Sequence, residues 1–534
     1  MRSEGHPEGA NVLSDANETR RKVNKVQNRN SEVEGLVEAL AEGAITRQQA
    51  LRRMLALGIS LPAASSLLWA WGTNQAAAAT GSYGGSGIAD RAIEGARRLN
   101  LKGKTIRVFN PAGMESNFQL FVPEWTKVTG IKVKSSAVGY FDYHPKVVQA
   151  SVSGRANFDL VADGPRYIGD LVGAGAIHEI GPWMSKYGQI VNHPKWGFLN
   201  PLGKWSMTYQ GKYYGLTADG DVFTTLVRKD LLSNATNQKD FKAKYGYDLT
   251  FPQTWDQYHD QAEFFTRAPQ LYGAVDVHAR QSGAYQWMVR YVSKALPSAY
   301  YFDDNMKPLI NGPEGVKTTE EYLAMKKFMN PDIATWNYTQ QYPSWANGDA
   351  YEVNYVVSLA KFGEGKDSKV RGKVLPGLMP GSVVKGKVNH RSILAFGNTF
   401  MVWKTSPVAE AAYLFAQFIT SPELSVRSIP QPGYLDPYRI VDLKSAAVRK
   451  AYGAPTMAAI ARNMPVQVPD LQLQGVAQYY EALDANLSAA WAGSQSAEQV
   501  VEKTATEWNK ITDRIGREKQ IKQWRYLKAA WPKA

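Results

Sequence analysis

TIRVFN (105–110), NFQLFVPEWTKVTG (117–130), IKVKSSAV (131–138), HPKVVQASVSGR (144–155) and FDLVADG (158–164) follow one another along the chain and decide its fold. The first, third and fifth stretches are short apolar runs bounded by turn signals and read as strands; FDLVADG breaks at Asp163-Gly164. The second and fourth carry apolar residues at helical spacing, and GDLVGAGAIHEI (169–180) reads as a further helix. This β-α-β-α-β order requires a parallel sheet with crossover helices. Ligands of such sheets sit beyond the carboxyl ends of the strands. Here those ends are Asn110 to Ser116, Gly139 to Tyr143 and Asp163 to Arg166.

Outward from this run, further elements are legible. TTEEYLAMKKFM (318–329) has helical periodicity and stops at Asn330-Pro331. PVAEAAYLFAQFI (407–419) starts with proline and has an apolar face, and SAEQVVEKTATEWNKITDRIGRE (496–518) reads as a long helix. A chain of 534 residues exceeds a single core, so two or more domains are expected. The 15 Trp and 28 Tyr serve mostly for packing, but they also offer flat amphipathic rings that suit stacking on sugars. The net charge of +14 is scattered, with no run of five Lys or Arg, and reads as a solvated surface rather than a nucleic-acid interface. The chain has no cysteine, which excludes disulfides, thiol catalysis and a lipid-modified cysteine anchor. Its seven histidines are dispersed without a metal-binding pair, and no cofactor is expected.

Residues 1–30 are polar and aperiodic, and 31–53 look helical. No charged residue occurs from Met54 to Ala89, and the apolar part (54–71) is interrupted by Gly58 and Pro62, too short and broken for an anchor. QAAAAT (75–80) is a small-residue cleavage pattern, placing cleavage after Ala78 or Ala79. Arg52-Arg53 ahead of the apolar run suggests a twin-arginine signal, with the general secretory route as the alternative. The expectation is export of residues beyond 79 to the periplasm of a two-membrane bacterium.

The central run, together with GKYYGLTADGDVFTTLVRKDLL (211–232), FPQTWDQYHDQAEFF (251–265), GNTFMVWKTSPVAEAAYLFAQFITSPE (397–423) and QPGYLDPYR (431–439), resembles family 1 extracellular solute-binding proteins, the receptors of ABC importers. The resemblance spans roughly 104–515 and rests on the order and spacing of its pieces. It implies an α/β, two-lobed periplasmic binding protein-like fold of class II, with a ligand cleft between lobes and a hinge of crossing strands. The first lobe is expected from 104–222 with 391–435, and the second from 223–390 with 436–534. Length beyond a typical member is expected at 186–210, 235–250 and 360–392.

Candidate ligand residues follow from both readings. Asp-Gly at 163–164 is a common turn, and Asp at a strand end often caps a helix; the resemblance places Asp163 and Arg166 in a ligand-binding loop. Asp219 and Asp221 alternate in GLTADGDVF (215–223), so that as a strand both carboxylates face one side. They fit a solvated loop, an acid/base pair of a glycosidase, or acceptors for sugar hydroxyls, and the resemblance favours binding, Asp221 above all. Tyr285 and Trp287 stand at a helix start, where they serve either the core or a stacking platform. Tyr140 and Phe141 follow the second strand, and Asn354 and Tyr355 follow the resemblance into the cleft, with Asn398 and Tyr434 on the returning segments. Tyr479-Tyr480 is a further aromatic pair.

Aromatic rings with Asp and Asn suit a neutral sugar, oligosaccharide or polyol. Arg166, Arg280 and Arg391 keep an organic anion open, and acids with aromatics keep a polyamine open. The expected function is a monomeric, non-enzymatic receptor working with ABC permease subunits in the inner membrane and, through them, an ATPase; the chain itself has no phosphate-binding loop. An exported carbohydrate-active enzyme using Asp219 and Asp221 is the alternative.

Overall fold

The computed structural model describes residues 47–57, 83, 85–200, 202–280, 282–295, 300–394 and 397–530, with Glu32 and Leu36. The chain divides into two compact units, 1–81 and 82–534. In the first, the described part is centred on a helix, Arg47–Ala56. That helix holds Arg52-Arg53, while most of the apolar and cleavage stretch read as an export signal (58–80) lies outside the described residues. No helix among the described residues is long and apolar enough to cross a membrane.

The second unit is built on two sheets. Strands β1 (Thr105–Pro111), β2 (Lys132–Val138) and β3 (Leu160–Asp163) form the parallel core that the opening run demands, with β1 between the other two. The sheet is completed by two strands from far along the chain. Its order is β2-β1-β3-β14-β6, where β14 (Thr399–Val402) runs antiparallel to both β3 and β6 (Gly215–Thr217). Between β3 and β6 lies a small hairpin, β4 (Thr208–Tyr209) with β5 (Lys212–Tyr213). Phe109, Tyr143, Val147, Val161, Met401 and Trp403 form a core on one face of the main sheet.

The second sheet has the order β10-β7-β9-β8, from β7 (Phe223–Arg228), β8 (Tyr272–Ala274), β9 (Ala350–Val356) and β10 (Val374–Gly377). Every residue of β9 is buried, as expected of a central strand covered on both faces. A hairpin, β11 (Gly381–Val384) with β12 (Lys387–His390), follows. Then β13 (Ser392–Leu394) pairs in parallel with β15 (Gln467–Pro469) and packs on helix Gly283–Ala295. The returning chain therefore pairs with β15 in a small sheet of its own to Leu394 and joins the first sheet at Thr399.

Several elements differ from the sequence reading. The stretch 117–130 is two helices, Glu115–Gln119 and Val122–Thr129, because Pro123 supplies no backbone donor and so opens a new first turn. The helix expected over 169–180 stops at Gly173. The helix at 496–518 is capped by the Ser496 hydroxyl and ends at Ile515, but it is not the last: Arg517–Ala530 follows, with Trp524 and Leu527 fully buried.

Candidate functional site

The carboxyl ends of β1 and β3, where the parallel sheet directs ligands, open onto a cavity of about 330 Å³. Pro111, Asp163 and Asn398 line it from the first sheet, and Tyr285, Tyr480 and Glu481 from helices Gly283–Ala295 and Val476–Trp491 opposite. One wall is the edge of the first sheet and the other a pair of helices packed on each other, the cleft of a two-lobed fold.

Asp163 sits at the last residue of β3, opposite Thr399, and is 2 % exposed. Its Oδ1 accepts the Gly164 amide at 2.8 Å, and its Oδ2 faces His144 Nδ1 at 2.7 Å. His144, on helix Tyr140–Ser153, has its other ring nitrogen 3.8 Å from Asp170 Oδ2 and stacks on Tyr167 with ring centroids 3.4 Å apart. Burial disfavours the imidazolium, but the charges and hydrogen bonds of Asp163 and Asp170 outweigh it and raise the His144 pKa to about 9. The fixed carboxylate retains lone pairs for a ligand hydroxyl. Arg166 in the same loop is buried and directed at Tyr285 and Tyr480.

A smaller hollow of about 50 Å³ adjoins this cleft at Pro111 and is lined by Asp219, Asp221, Tyr338, Tyr342, Tyr355 and Tyr434. Its floor is the crossing between lobes. Asp219 and Asp221 do not lie on a continuous strand: β6 ends at Thr217, β7 begins at Phe223, and 218–222 passes between the sheets. Gly397-Asn398, just ahead of β14, and the segment near Leu435–Tyr438 meet it there. Asp219 Oδ1 accepts the Asp436 amide at 2.8 Å and its Oδ2 the Asn398 side chain at 3.4 Å, while Asp221 Oδ2 accepts the Gly397 amide at 2.9 Å. Burial, then Asp436, raises the Asp219 pKa to about 8, and Asp221 is pushed up as well. Lys361, buried, donates to the carbonyls of Ile429, Gln431 and Leu435 at 3.0–3.3 Å. Burial lowers its pKa to about 8 against the pull of the same carboxylates. The two aspartates thus fasten the three crossing segments to one another.

The remaining residues expected at the site are distributed as follows. Tyr355 and Tyr434 line the hollow, and Tyr285 and Asn398 the cleft. Asn354 alternates away from Tyr355 on β9 and is fully buried, its Oδ1 accepting the Thr225 hydroxyl at 2.5 Å. Trp287 is fully buried, donates Nε1 to Thr319 Oγ1 at 2.8 Å and stacks on Tyr291, so the structure places it in the core and not at the cleft. Tyr140 and Phe141 open helix Tyr140–Ser153, and their side chains lie outside the described residues. No local pattern singles out His144, Asp436 or Lys361, whose roles depend on partners brought together only by the fold.

Among the described residues, two clusters have carboxylate or imidazole atoms close enough for a metal ion, Asp219/Asp221/Asp436 and His259/Asp260/Glu263. The first is engaged by the crossing-segment amides; in the second Glu263 pairs with Lys244 and Asp260 accepts from Tyr247.

The family model described as bacterial extracellular solute-binding protein matches residues 111–424. Solved structures share the fold. An ABC transporter solute-binding protein from Agrobacterium radiobacter K84 in complex with ribitol is 18 % identical, covering 77 % of this chain and 99 % of its own, with a TM-score of 0.66. Maltose-bound MalE3 of T. maritima is 18 % identical over 77 % of this chain and 100 % of its own, with a TM-score of 0.64. A solute-binding protein from Thermotoga lettingae TMO bound with α-D-tagatose is 19 % identical over 78 % of this chain and 100 % of its own, with a TM-score of 0.63. No curated protein matches the sequence.

Proposed function

The chain belongs to the bacterial extracellular solute-binding proteins, and from that premise we propose that it is the substrate-binding component of an ABC importer, capturing a sugar, oligosaccharide or polyol by lobe closure. One observation carries the reading: a cleft between two lobes in which a fixed carboxylate, Asp163, shares the walls with Tyr285 and Tyr480. Carboxylates accept from hydroxyls, and rings stack on the apolar faces of sugars. The solved relatives bound to ribitol, maltose and tagatose support this class.

Asp163, Tyr285 and Asn398 are the contacts proposed in the cleft, with Asp221, Tyr355 and Tyr434 beside them in the hollow. Asp219 acts at the hinge. The protein works in the periplasm as a monomer, reaches it through a cleaved signal within 1–79, and hands its solute to two permease subunits without chemical change. The first lobe is drawn from 104–222 with the segment around 399–435, and the second from the remainder of 223–534.

A thermal-shift screen of the full chain against ribitol, mannitol, tagatose, maltose, polyamines and organic acids tests the reading, since a ligand that binds only the folded state raises Tm by mass action. A shift with a sugar or polyol that is recovered unaltered is the expected result. Cleavage of the sugar would point to the carbohydrate-active alternative, and a shift confined to polyamines or acids would overturn the ligand class.

A further inference from the structure

Arg166 stands in the loop after β3, on the first-sheet side of the cleft, yet most of its surroundings come from the other side. The residue is only 4 % exposed. Its Nη2 donates to the Tyr167 hydroxyl at 3.0 Å, and its guanidinium carbon lies 4.4 Å from the Tyr167 ring centroid. Two further rings face it, Tyr285 at 5.3 Å and Tyr480 at 5.8 Å. These stand on helices Gly283–Ala295 and Val476–Trp491, which pack on each other and on helix Pro313–Ala324 of the second lobe. Their own centroids are 5.0 Å apart, so the two rings pack on each other as one aromatic pair, and Tyr480 donates its hydroxyl to the buried Asp470.

The ring pair supplies what a guanidinium prefers when it leaves water: aromatic surface and a nearby carboxylate. Burial raises the Asp470 pKa to about 6, with the Arg166 charge opposing the rise. Two further bonds join the same pair of segments. Gln472 Nε2 donates to the Pro165 carbonyl at 3.3 Å, and the Gly475 amide donates to Asp170 Oδ1. The helical turn Pro165–Asp170 is therefore held by residues 470–480.

We propose that Arg166 is a cross-cleft clasp: a positioning residue that holds the lobes together by resting on the Tyr285–Tyr480 pair instead of contacting solute. The proposal rests on the capture-by-closure reading above. It makes part of the closing free energy independent of ligand, so that the empty receptor populates the closed form. Arginine is required because the planar guanidinium packs against the ring pair; a lysine ammonium retains the charge without the planar contact.

The chain has no cysteine, so a pair of dyes can be attached cleanly at V152C and V383C, whose native side chains are 81 % and 62 % exposed on either side of the cleft. Single-molecule energy transfer on the ligand-free chain then reads the closed-to-open ratio. Arg166→Met and Tyr285→Leu are each expected to lower that ratio at least tenfold, Arg166→Lys by less, and the double variant no further than either single one. This non-additivity is a readout that a merely structural role in folding would not produce. An unchanged ratio in Arg166→Met, fully additive single effects, or a wild type already wholly open would each overturn the clasp. The same holds if Arg166→Met leaves the ligand-free ratio alone but abolishes closure on ribitol or maltose, because Arg166 is then a solute contact. Failure of the function reading looks different: no sugar or polyol closes the wild type, while the ligand-free comparison still decides the clasp.

Discussion

At the scale of single residues, Asp163 and His144 form the polar centre of the cleft. The aspartate was visible in the sequence as a strand-end Asp-Gly, whereas its partner, 19 positions earlier, was not. Asp163→Asn removes the charge and one acceptor from the proposed ligand contact, and is expected to weaken sugar or polyol binding about ten- to hundredfold in a titration. His144 makes stability depend on pH. Its folded-state pKa is about 9, above the unfolded value of about 6.5. The contribution is fully present below about pH 6.5 and disappears as pH rises toward about 9, where neutral imidazole no longer pairs with Asp163 and Asp170. Denaturant melts of the wild type should show this loss over that window, and His144→Gln should flatten it. Trp287 belongs to the core. Trp287→Ala is expected to cost roughly 3–5 kcal/mol of stability, measured by unfolding, with any change in affinity secondary to it.

At the scale of elements, the crossing segments are packed backbone to backbone. A Cβ on Gly220 would stand 1.9 Å from the Pro437 carbonyl oxygen, and one on Gly397 2.6 Å from that of Asp219. Gly220→Ala should therefore lower stability by about 2–4 kcal/mol, within the range of backbone and overpacking effects, and broaden the distribution of lobe separations. A Gly220→Ala protein that melts with the wild type would contradict this packing. These elements also show where sequence reading succeeds. Strands β1 to β3 were legible because each is a short apolar run between turns, and helices such as Ala409–Ile419 because their periodicity is local. GLTADGDVF misled, because its alternation suits a strand, yet Asp219 and Asp221 are taken by amides of Asp436 and Gly397, more than 170 residues away. Asn354 and Trp287 misled for the same reason: whether a polar or aromatic side chain faces a cleft or a core depends on which sheet covers it.

At the scale of the whole molecule, two sheets joined by three crossings give a receptor whose work is a change of shape. The hinge gathers Asp219, Asp221, Asp436 and Lys361 in a buried cluster, and the proposed clasp joins Arg166 to the Tyr285–Tyr480 pair on the cleft's other wall. Closure expels water from both walls of the cleft, which strengthens each hydrogen bond to the solute. The measurement that tests this account most directly is energy transfer between the two lobes during titration with ribitol, mannitol and maltose, with the sugar assayed afterwards. The account predicts saturable closure by at least one of them and complete recovery of the unaltered sugar. An inter-lobe distance that none of these solutes changes, or a sugar that is consumed, would contradict it.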